Sequence, residues 1–332
     1  MARVSASPGM GGRARSRNTY GVSCDEMLEV VRGGGLLPVG SPVVAMLSGG
    51  RDSVCLVDLS SRLLGASAVT VVHVNYGLRE GSDEDEAFCR ELCERIGVRL
   101  EVERPRRPEG PGNLQAWARD TRYAVAARLA LPDEALIATG HTADDQVETI
   151  LYRLASSPSR RALLGMRPRD GSLVRPLLGF TREETTAYCG ERELRWRDDP
   201  TNEGAAYARN RVRHGLLPAL AEIHPAAARN VLRTAELLRD EAEILDSLVD
   251  AELGSADGSR ATISLDRLEG LPGALRRLVV QRLADRAAGR PVPGAANHAD
   301  EVAALRRTGT AMLDLGGGVR AVAERGVLHA ER

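Results

Sequence analysis

Hydrophobic and polar residues follow two different periods over the N-terminal half of the chain, and each period predicts its own kind of element. Short apolar runs of strand length predict four buried strands, at residues 42–47, 68–74, 98–103 and 134–139. Helical spacing of apolar residues predicts helices between them, at residues 53–64, 83–96 and 113–129. Alternating strands and helices predict an α/β fold, a doubly wound parallel sheet with helices on both faces.

The pattern changes after Pro225 and predicts a second, smaller domain of mixed helical and α+β type. Its predicted elements are two helices, one strand and a hairpin around three glycines, at residues 226–253, 273–288, 261–265 and 311–322. The chain as a whole is predicted to contain a disordered extension, the α/β domain and the small domain, at residues 1–20, 21–222 and 223–332.

The composition is typical of a soluble globular protein. Hydrophobic residues make up 43% and charged residues 27% of the 332 positions, which allows a sizeable core. No apolar run approaches the length that crosses a bilayer, so we expect no membrane association. The five cysteines have neither zinc nor disulfide spacing, which favours a reducing, cytoplasmic location.

The candidate chemistry begins where the first predicted strand ends, in Ser48-Gly49-Gly50-Arg51-Asp52-Ser53. A strand, a glycine turn and a helix direct backbone N–H groups and the positive helix end at an anion such as phosphate. Asp52 would repel a phosphate unless a divalent cation lay between them, so the turn also predicts Mg²⁺. The alternative is an ordinary glycine-rich turn in which Asp52 only caps its helix.

Two other phosphate loops are excluded by the residues present. The Walker loop requires a lysine, and all 45 residues counted as Lys+Arg are arginine. The dinucleotide loop requires Gly-x-Gly-x-x-Gly, which this segment lacks. The sequence Ser-Gly-Gly-x-Asp-Ser instead resembles the PP-loop of the N-type ATP pyrophosphatases. That resemblance implies cleavage of ATP into AMP and pyrophosphate, with adenylation of a substrate oxygen.

A carboxylate cluster follows the fourth predicted strand. Asp144, Asp145 and Glu148 lie three and four positions apart at a helix start, so their side chains crowd neighbouring positions. Like charges at this distance repel unless a cation is bound. Thr142 and Asp145 also match a capping box, which by itself would account for Asp145. Because capping leaves Glu148 and His141 unexplained, we favour a functional site.

Three polar segments are expected to converge in space. They follow the first, second and fourth predicted strands, at Ser48–Ser53, His73–Arg79 and His141–Glu148. In an open parallel sheet, ligands bind beyond the carboxyl ends of the strands, and those ends share one rim. The sequence therefore predicts a single site built from all three segments.

Six further motifs resemble the tRNA(Ile)-lysidine synthetase family of PP-loop enzymes. They occur in that family's order at His73–Arg79, Asn113–Tyr123, His141–Thr149, Arg175–Leu178, Asp198–Asn202 and Arg209–Arg213, and cover most of residues 42–218. The resemblance implies adenylation of the C2 oxygen of the wobble cytidine in an isoleucine tRNA with a CAU anticodon, followed by attack of free L-lysine. One departure is Ser156–Ser159, where the family usually carries flexible glycines.

Residue chemistry and resemblance together predict individual roles. The residues predicted to bind ATP are Ser48, Gly49, Gly50, Arg51, Asp52, Ser53, His141 and Arg209. Asp52 is predicted to hold Mg²⁺, and Asp145 and Glu148 to bind the lysine ammonium; these three are the predicted catalytic residues. The residues predicted to contact tRNA are Arg79, Arg119, Arg122 and Arg213.

An excess of arginine supports a nucleic-acid contact without assigning each residue. Between Arg153 and Arg213 there are thirteen arginines and eight acidic residues, although the net charge of the chain is only −1. A solvated surface of mixed charge is the alternative interpretation. The sequence alone therefore leaves open which arginines contact ATP and which contact tRNA.

Two other functions are kept as alternatives. A PP-loop tRNA sulfur transferase generally needs paired cysteines, and Cys89-x-x-x-Cys93 has the wrong spacing. A non-catalytic tRNA-binding relic is favoured only by Ser156–Ser159 and disfavoured by intact Asp52, Asp145 and Glu148. The oligomeric state stays open, with a homodimer as one option.

Overall fold

A computed structural model describes residues 22–78, 80–107, 113–156, 160–197, 208–253 and 261–332. The predictions for residues 1–20, for Arg79 and for the segment Asp198–Asn202 lie outside the described residues. The chain divides into two compact units, of which the first ends at Arg233 and the second begins at Thr234. None of the helices in the described ranges is long and apolar enough to cross a bilayer.

The first unit contains a six-stranded sheet. Its strands are β1 Val43–Met46, β2 Val69–Val74, β3 Arg99–Glu103, β4 Leu136–Ala138, β5 Arg169–Asp170 and β6 Leu173–Val174. Their order is β3-β2-β1-β4-β6-β5, and every neighbouring pair is parallel except β5 with β6. The predicted doubly wound α/β class is therefore confirmed. The sequence pattern did not predict β5 and β6, because two-residue strands are too short to show a period.

Helices separate the strands, as the alternating pattern predicted. They are α1 Cys24–Gly33, α2 Arg51–Leu64, α3 Ser82–Ile96, α4 Leu114–Ala130, α5 Ala143–Ser156, α6 Arg160–Leu163, α7 Arg182–Glu191, α8 Ala208–Arg211, α9 Leu217–Ile223 and α10 Ala227–Glu252. A π-helical turn, Val212–Leu216, joins α8 to α9. The helix α10 runs across the boundary between the two units.

The middle strands of the sheet are buried on both faces, which explains why β1 is apolar without alternation. Val43 and Ala45 on β1 pack into a core that contains residues of α1, α2 and α7. Val44 and Met46 face the other way, into a smaller core that contains residues of α4. Successive strand residues point to opposite faces, so each core takes every second residue of β1.

The second unit is built on a small antiparallel sheet. Its strands are β7 Ile263–Ser264, β8 Thr310–Gly316, β9 Val319–Glu324 and β10 Val327–Glu331, in the order β7-β10-β9-β8. Its further helices are α11 Leu265–Gly270, α12 Gly273–Ala288 and α13 Ala299–Ala303. The pattern predicted the β8–β9 hairpin and α12 but missed β10 and α11. The strand predicted at 261–265 ends earlier, because the Ser264 side chain accepts a hydrogen bond from the Arg267 N–H and caps α11.

Candidate active site

The glycine turn, Ser48–Ser53, leads from β1 into α2 and is closed by its own hydroxyl groups. Ser53 Oγ donates to the carbonyl oxygen of Gly50 at 2.7 Å and accepts from the Ser48 N–H at 3.2 Å. Gly49 has φ +87°, a left-handed conformation that glycine adopts readily. The helix begins at Arg51, two residues before its predicted start, and its cap Gly50 provides no side-chain hydrogen bond. No cap side chain therefore competes with an anion for the first N–H groups of α2.

The end of β4 packs directly against the first turn of α2. An ideal Cβ at Gly140 would lie 2.8 Å from the carbonyl oxygen of Asp52 and 3.1 Å from the nitrogen of Ser53. Both neighbours are backbone atoms, so only glycine fits without a shift of the main chain. This contact brings His141–Glu148 beside the glycine turn, as the shared rim of the sheet predicted.

Asp52 directs its carboxylate both at α7 and at Arg51, the first residue of its own helix. Its Oδ1 accepts a hydrogen bond from Thr185 Oγ1 at 2.6 Å and lies 3.2 Å from Arg51 Nε. Its Oδ2 lies 4.0 Å from Arg182 Nε, and 22% of the side chain stays exposed. The carboxylate of Asp52 is therefore partly exposed, and its Oδ1 is held by hydrogen bonds from both Thr185 and Arg51.

Asp145 both caps α5 and pairs with an arginine. Its Oδ2 accepts from the N–H and the hydroxyl of Thr142 at 2.9 and 3.1 Å, the capping interaction that the sequence offered as an alternative. Its Oδ1 accepts from Arg182 Nη2 at 2.7 Å. Burial acts to raise the pKa of Asp145, but Arg182 and the Thr142 hydrogen bonds outweigh burial and the net pKa is lowered.

Glu148 is the most deeply buried of the predicted site carboxylates, with 2% exposure. Arg213 donates to both of its oxygens, from Nε at 2.6 Å and from Nη2 at 3.1 Å. Arg182 Nη1 lies 3.2 Å from the same carboxylate, and Arg213 Nη2 lies 3.6 Å from Asp145. Two carboxylates thus share two guanidinium groups, so the cluster is charge-compensated in the free protein.

His141 lies at the same rim as an uncharged imidazole at neutral pH. Its Nδ1 is 2.8 Å from Thr139 Oγ1. Burial lowers the pKa of His141 to about 4; Asp145 opposes the shift, whereas nearby Arg175, Arg122 and Arg119 add to it.

Those three arginines form a positive group, in which Asp170 acts on Arg175 as an acidic neighbour. Arg119 and Arg122 lie over the ring of Tyr123, with their Cζ atoms 5.1 and 5.8 Å from its centroid. Arg175 is 7% exposed, and burial lowers its pKa. Its Nη1 donates to the Arg167 carbonyl at 2.6 Å, whereas its Nε has no hydrogen-bond partner among the described residues. Within the described residues, none of the three forms an ion pair. A positive group of this kind favours an anion.

The segment that departs from the family pattern is described only on its two sides. Ser156 ends α5, while Ser157–Ser159 lie outside the described residues. On the far side, the buried amide of Gln146 donates to the Met166 carbonyl at 2.9 Å and accepts from its N–H at 2.7 Å. The chain that leaves this loop is therefore fixed to α5, two residues from Glu148.

The structure brings together most of the residues that the sequence predicted for the site. Asp52, His141, Asp145 and Glu148 meet beside the glycine turn, and Arg213, predicted as a tRNA contact, lies on Glu148. The side chain of Arg209 lies outside the described residues. Behind the turn, His73 Nδ1 lies 2.9 Å from the Leu47 carbonyl oxygen, so this motif supports the loop.

Sequence reasoning missed Arg182 and Thr185, which connect the two halves of the site. The capping box of α7, formed by Thr181 and Glu184, marks the start of a helix but gives no sign of what that helix contacts. Arg182 contacts Asp145 across 37 positions of sequence, and Thr185 contacts Asp52 across 133. No local pattern encodes contacts at such separations.

A strand, a serine–glycine turn and a helix beside a doubly wound sheet define a PP-loop domain, and the PP-loop domain family matches residues 37–220. A U34-tRNA thiolase from Methanococcus maripaludis, solved with its [4Fe-4S] cluster, has a TM-score of 0.55 at 20% identity. It covers 65% of this chain and 78% of its own, and it supports the fold alone.

Curated relatives give the narrower assignment. The tRNA(Ile)-lysidine synthase of Thermus thermophilus is 41% identical over 259 residues, which are 75% of this chain and 50% of that protein. The tRNA(Ile)-lysidine synthase of Nocardia farcinica is 35% identical over 249 residues, which are 74% of this chain and 76% of that protein. The chain belongs to the tRNA(Ile)-lysidine synthase family. It spans about half the length of several curated relatives that it matches.

Proposed function

We propose that the protein is a ligase that forms a C–N bond between free L-lysine and C2 of the wobble cytidine in isoleucine tRNA with a CAU anticodon. ATP first adenylates the cytidine oxygen, and attack by the lysine ε-amine then gives lysidine and AMP, after release of pyrophosphate. The observation that carries the proposal is the meeting of a PP-loop with two carboxylates, the partly exposed Asp145 and the buried Glu148, which Arg182 joins. Both free lysine and tRNA are cytoplasmic substrates, which favours that location.

The PP-loop is suited to the phosphates of ATP. Backbone N–H groups of Gly49, Gly50 and Arg51, with the hydroxyls of Ser48 and Ser53, surround the start of α2, where the helix dipole favours negative charge. The uncharged His141 at the rim can hydrogen-bond to the nucleotide without adding charge. Arg209 remains a proposed nucleotide contact.

Asp52 fits the requirement for a magnesium ligand. The described residues contain no group of three or more His, Cys, Asp or Glu that could hold a metal ion by themselves. Mg²⁺ bound with ATP usually takes only one or two carboxylates, because phosphates and water supply its other ligands. Asp52 is partly exposed beside the phosphate site and provides one such carboxylate. Mg²⁺ would neutralise charge on the departing pyrophosphate.

Asp145 and Glu148 are suited to bind the lysine ammonium, and Asp145 is poorly suited to deprotonate it. The lowered pKa of Asp145 makes it a weak base at neutral pH. Arg213 occupies both oxygens of Glu148, so an incoming ammonium must replace at least one guanidinium contact. The site therefore exchanges one cation for another, which limits the cost of desolvating the carboxylates before lysine arrives.

The unpaired arginines are suited to contact the tRNA backbone. Among the described residues Arg119 and Arg122 form no ion pair, and Arg175 lies close enough to Arg119 to interact with it electrostatically. Phosphate contacts of this kind make binding weaken with salt. A tRNA contact by Arg213 would first have to break its pair with Glu148. We also propose that the C-terminal domain, residues 223–332, contributes to tRNA binding.

The environment of the cysteines argues against the sulfur-transfer alternative. All five cysteines are free and buried. Burial raises the pKa of Cys93 to about 12, and the same cause is the largest contribution to a pKa of about 12 for Cys24. A thiol in that state is a poor nucleophile and a poor cluster ligand.

A labelling experiment tests the proposed function. The full chain is incubated with ATP, Mg²⁺, radiolabelled lysine and a transcript of isoleucine tRNA with a CAU anticodon. We expect label in this transcript and none in a methionine tRNA with the same anticodon. Equal labelling of both would contradict the proposed substrate, and pyrophosphate release without labelling would contradict lysine as the nucleophile. tRNA binding without either product would favour a non-catalytic role.

A further inference from the structure

The hydrogen bond from Thr185 to Asp52 links α7 to the PP-loop. Thr185 Oγ1 lies 2.6 Å from Asp52 Oδ1, and Thr185 is fully buried. We propose that Thr185 is a positioning residue, whose hydroxyl holds one oxygen of Asp52 so that the other stays available to Mg²⁺. The proposal rests on the assignment of Asp52 as the magnesium ligand in the proposed function.

The Thr185 hydroxyl donates its hydrogen bond to Asp52 rather than to the helix backbone. The hydroxyl has two acceptors within reach, Asp52 Oδ1 at 2.6 Å and the Arg182 carbonyl oxygen at 3.1 Å, but it has a single proton. The shorter contact with a charged acceptor is the stronger hydrogen bond. The neighbouring Thr186 behaves as helical threonines usually do, since its hydroxyl donates to the Arg182 carbonyl at 2.6 Å.

The position of the Thr185 hydroxyl is fixed because α7 is tied to α2 at a second point. The buried carboxylate of Asp58 accepts from the Tyr188 hydroxyl at 2.7 Å and from Arg192 Nε and Nη2 at 3.1 and 3.2 Å. Tyr188 is itself fully buried. With this second link in place, Thr185 cannot follow a rotating Asp52 carboxylate, so the hydrogen bond selects one rotamer.

That selection matters because Arg182 competes for the same carboxylate. Its Nε already lies 4.0 Å from Asp52 Oδ2. Without the hydroxyl, rotation of Asp52 towards Arg182 would form a closer ion pair, and the charge intended for Mg²⁺ would be neutralised by the protein. The hydroxyl thus holds Oδ1, which also lies 3.2 Å from Arg51 Nε, so that Oδ2 stays 4.0 Å from Arg182 and available to Mg²⁺.

Removal of the hydroxyl tests the proposal. Thr185→Val keeps the shape of the side chain, Thr185→Ser keeps the hydroxyl, and Thr186→Val is the matched control on the same helix. Binding of an ATP analogue that cannot be cleaved between the α- and β-phosphates is measured by calorimetry over a range of Mg²⁺ concentrations. We expect Thr185→Val to raise the Mg²⁺ concentration for half-maximal binding about tenfold, and Thr185→Ser and Thr186→Val to leave it within about twofold.

The outcomes separate this proposal from the proposed function. An unchanged Mg²⁺ requirement in Thr185→Val would overturn the positioning role. An equal rise in the Mg²⁺ requirement of Thr185→Val and Thr186→Val would also overturn it, because both threonines would then act only through the stability of α7. Asp52→Ala, tested in parallel, should abolish both the Mg²⁺ dependence of binding and pyrophosphate release. Pyrophosphate release by Asp52→Ala at the unmodified rate would instead overturn the assignment of Asp52. Thr185→Ala removes the same hydroxyl without adding volume and gives the same comparison if the valine variant does not fold.

Discussion

Neutralising Glu148 should destabilise the first unit, because two guanidinium groups would lose a buried counter-charge. Glu148→Gln preserves the shape of the side chain, and its amide would face Arg213 at 2.6 Å and Arg182 at 3.2 Å. Breaking a fully buried pair by removing one partner costs about 3–5 kcal/mol. Arg213 is 27% exposed and both arginines still reach Asp145, so we expect a loss of about 2–3 kcal/mol.

A double-mutant cycle identifies the source of that loss. Arg213→Gln should also destabilise, because among the described residues it leaves the buried Glu148 with Arg182 alone as a charged partner. The double variant removes both charges, so its loss should fall short of the sum of the single losses by about 1–3 kcal/mol. Urea unfolding of the full chain measures each free energy. Glu183→Gln, an exposed site on α7, is the control and should change stability by less than about 0.5 kcal/mol.

Lysine utilisation gives a second measurement on the same variants. If Glu148 binds the ammonium, Glu148→Gln should raise the lysine concentration needed for half-maximal labelling about ten- to hundredfold, with a much smaller effect on ATP. Strictly additive losses of stability would refute the paired geometry of Glu148 and Arg213. An equal rise in the lysine and ATP concentrations needed for half-maximal labelling would refute the ammonium site and indicate that the carboxylates act on the nucleotide.

Three further predictions concern the remaining parts of the site. Gly140→Ala should lower the free energy of unfolding in urea by about 1–3 kcal/mol and weaken ATP binding, because its Cβ would meet the α2 backbone at 2.8 Å. Gly190→Ala is the control and should not destabilise, since a Cβ there meets no described atom within 4 Å. The pKa of His141 is about 4 in the folded protein and near 6.5 in the unfolded chain. The free energy of unfolding should therefore keep its full value above pH 6.5 and fall by roughly 2–3 kcal/mol as the pH drops towards 4. A His141→Asn variant with the same pH profile would contradict this. Arg119→Ala should reduce the slope of log binding constant against log salt concentration for tRNA by roughly 0.7–0.9. Arg128→Ala, on the same helix but paired with Glu103, should leave that slope unchanged. Equal slopes for both variants would place the tRNA contact elsewhere.

The sequence by itself determined the elements whose signals are local. The strand β1, the glycine turn and α2 follow one another within residues 43–64, and each leaves a pattern of its own in that segment. Buried parallel strands are uniformly apolar, and this feature is visible without any partner strand. The convergence of Asp52 with His141–Glu148 was also predictable, because carboxyl ends of parallel strands must share a rim.

The tertiary structure decided how the charges of the site are balanced. Arg182 and Arg213 lie far along the chain from Asp52 and Glu148, and thirteen arginines between 153 and 213 look alike in the sequence. Which of them pairs with a carboxylate depends on the packing of α7 and of the turn after α8 against α5, which no local period encodes. The same packing selects Thr185 over Thr186 as the partner of Asp52. Side chains with identical chemistry thus differ in role because helix orientation, a property of the whole fold, directs only one of them at the site.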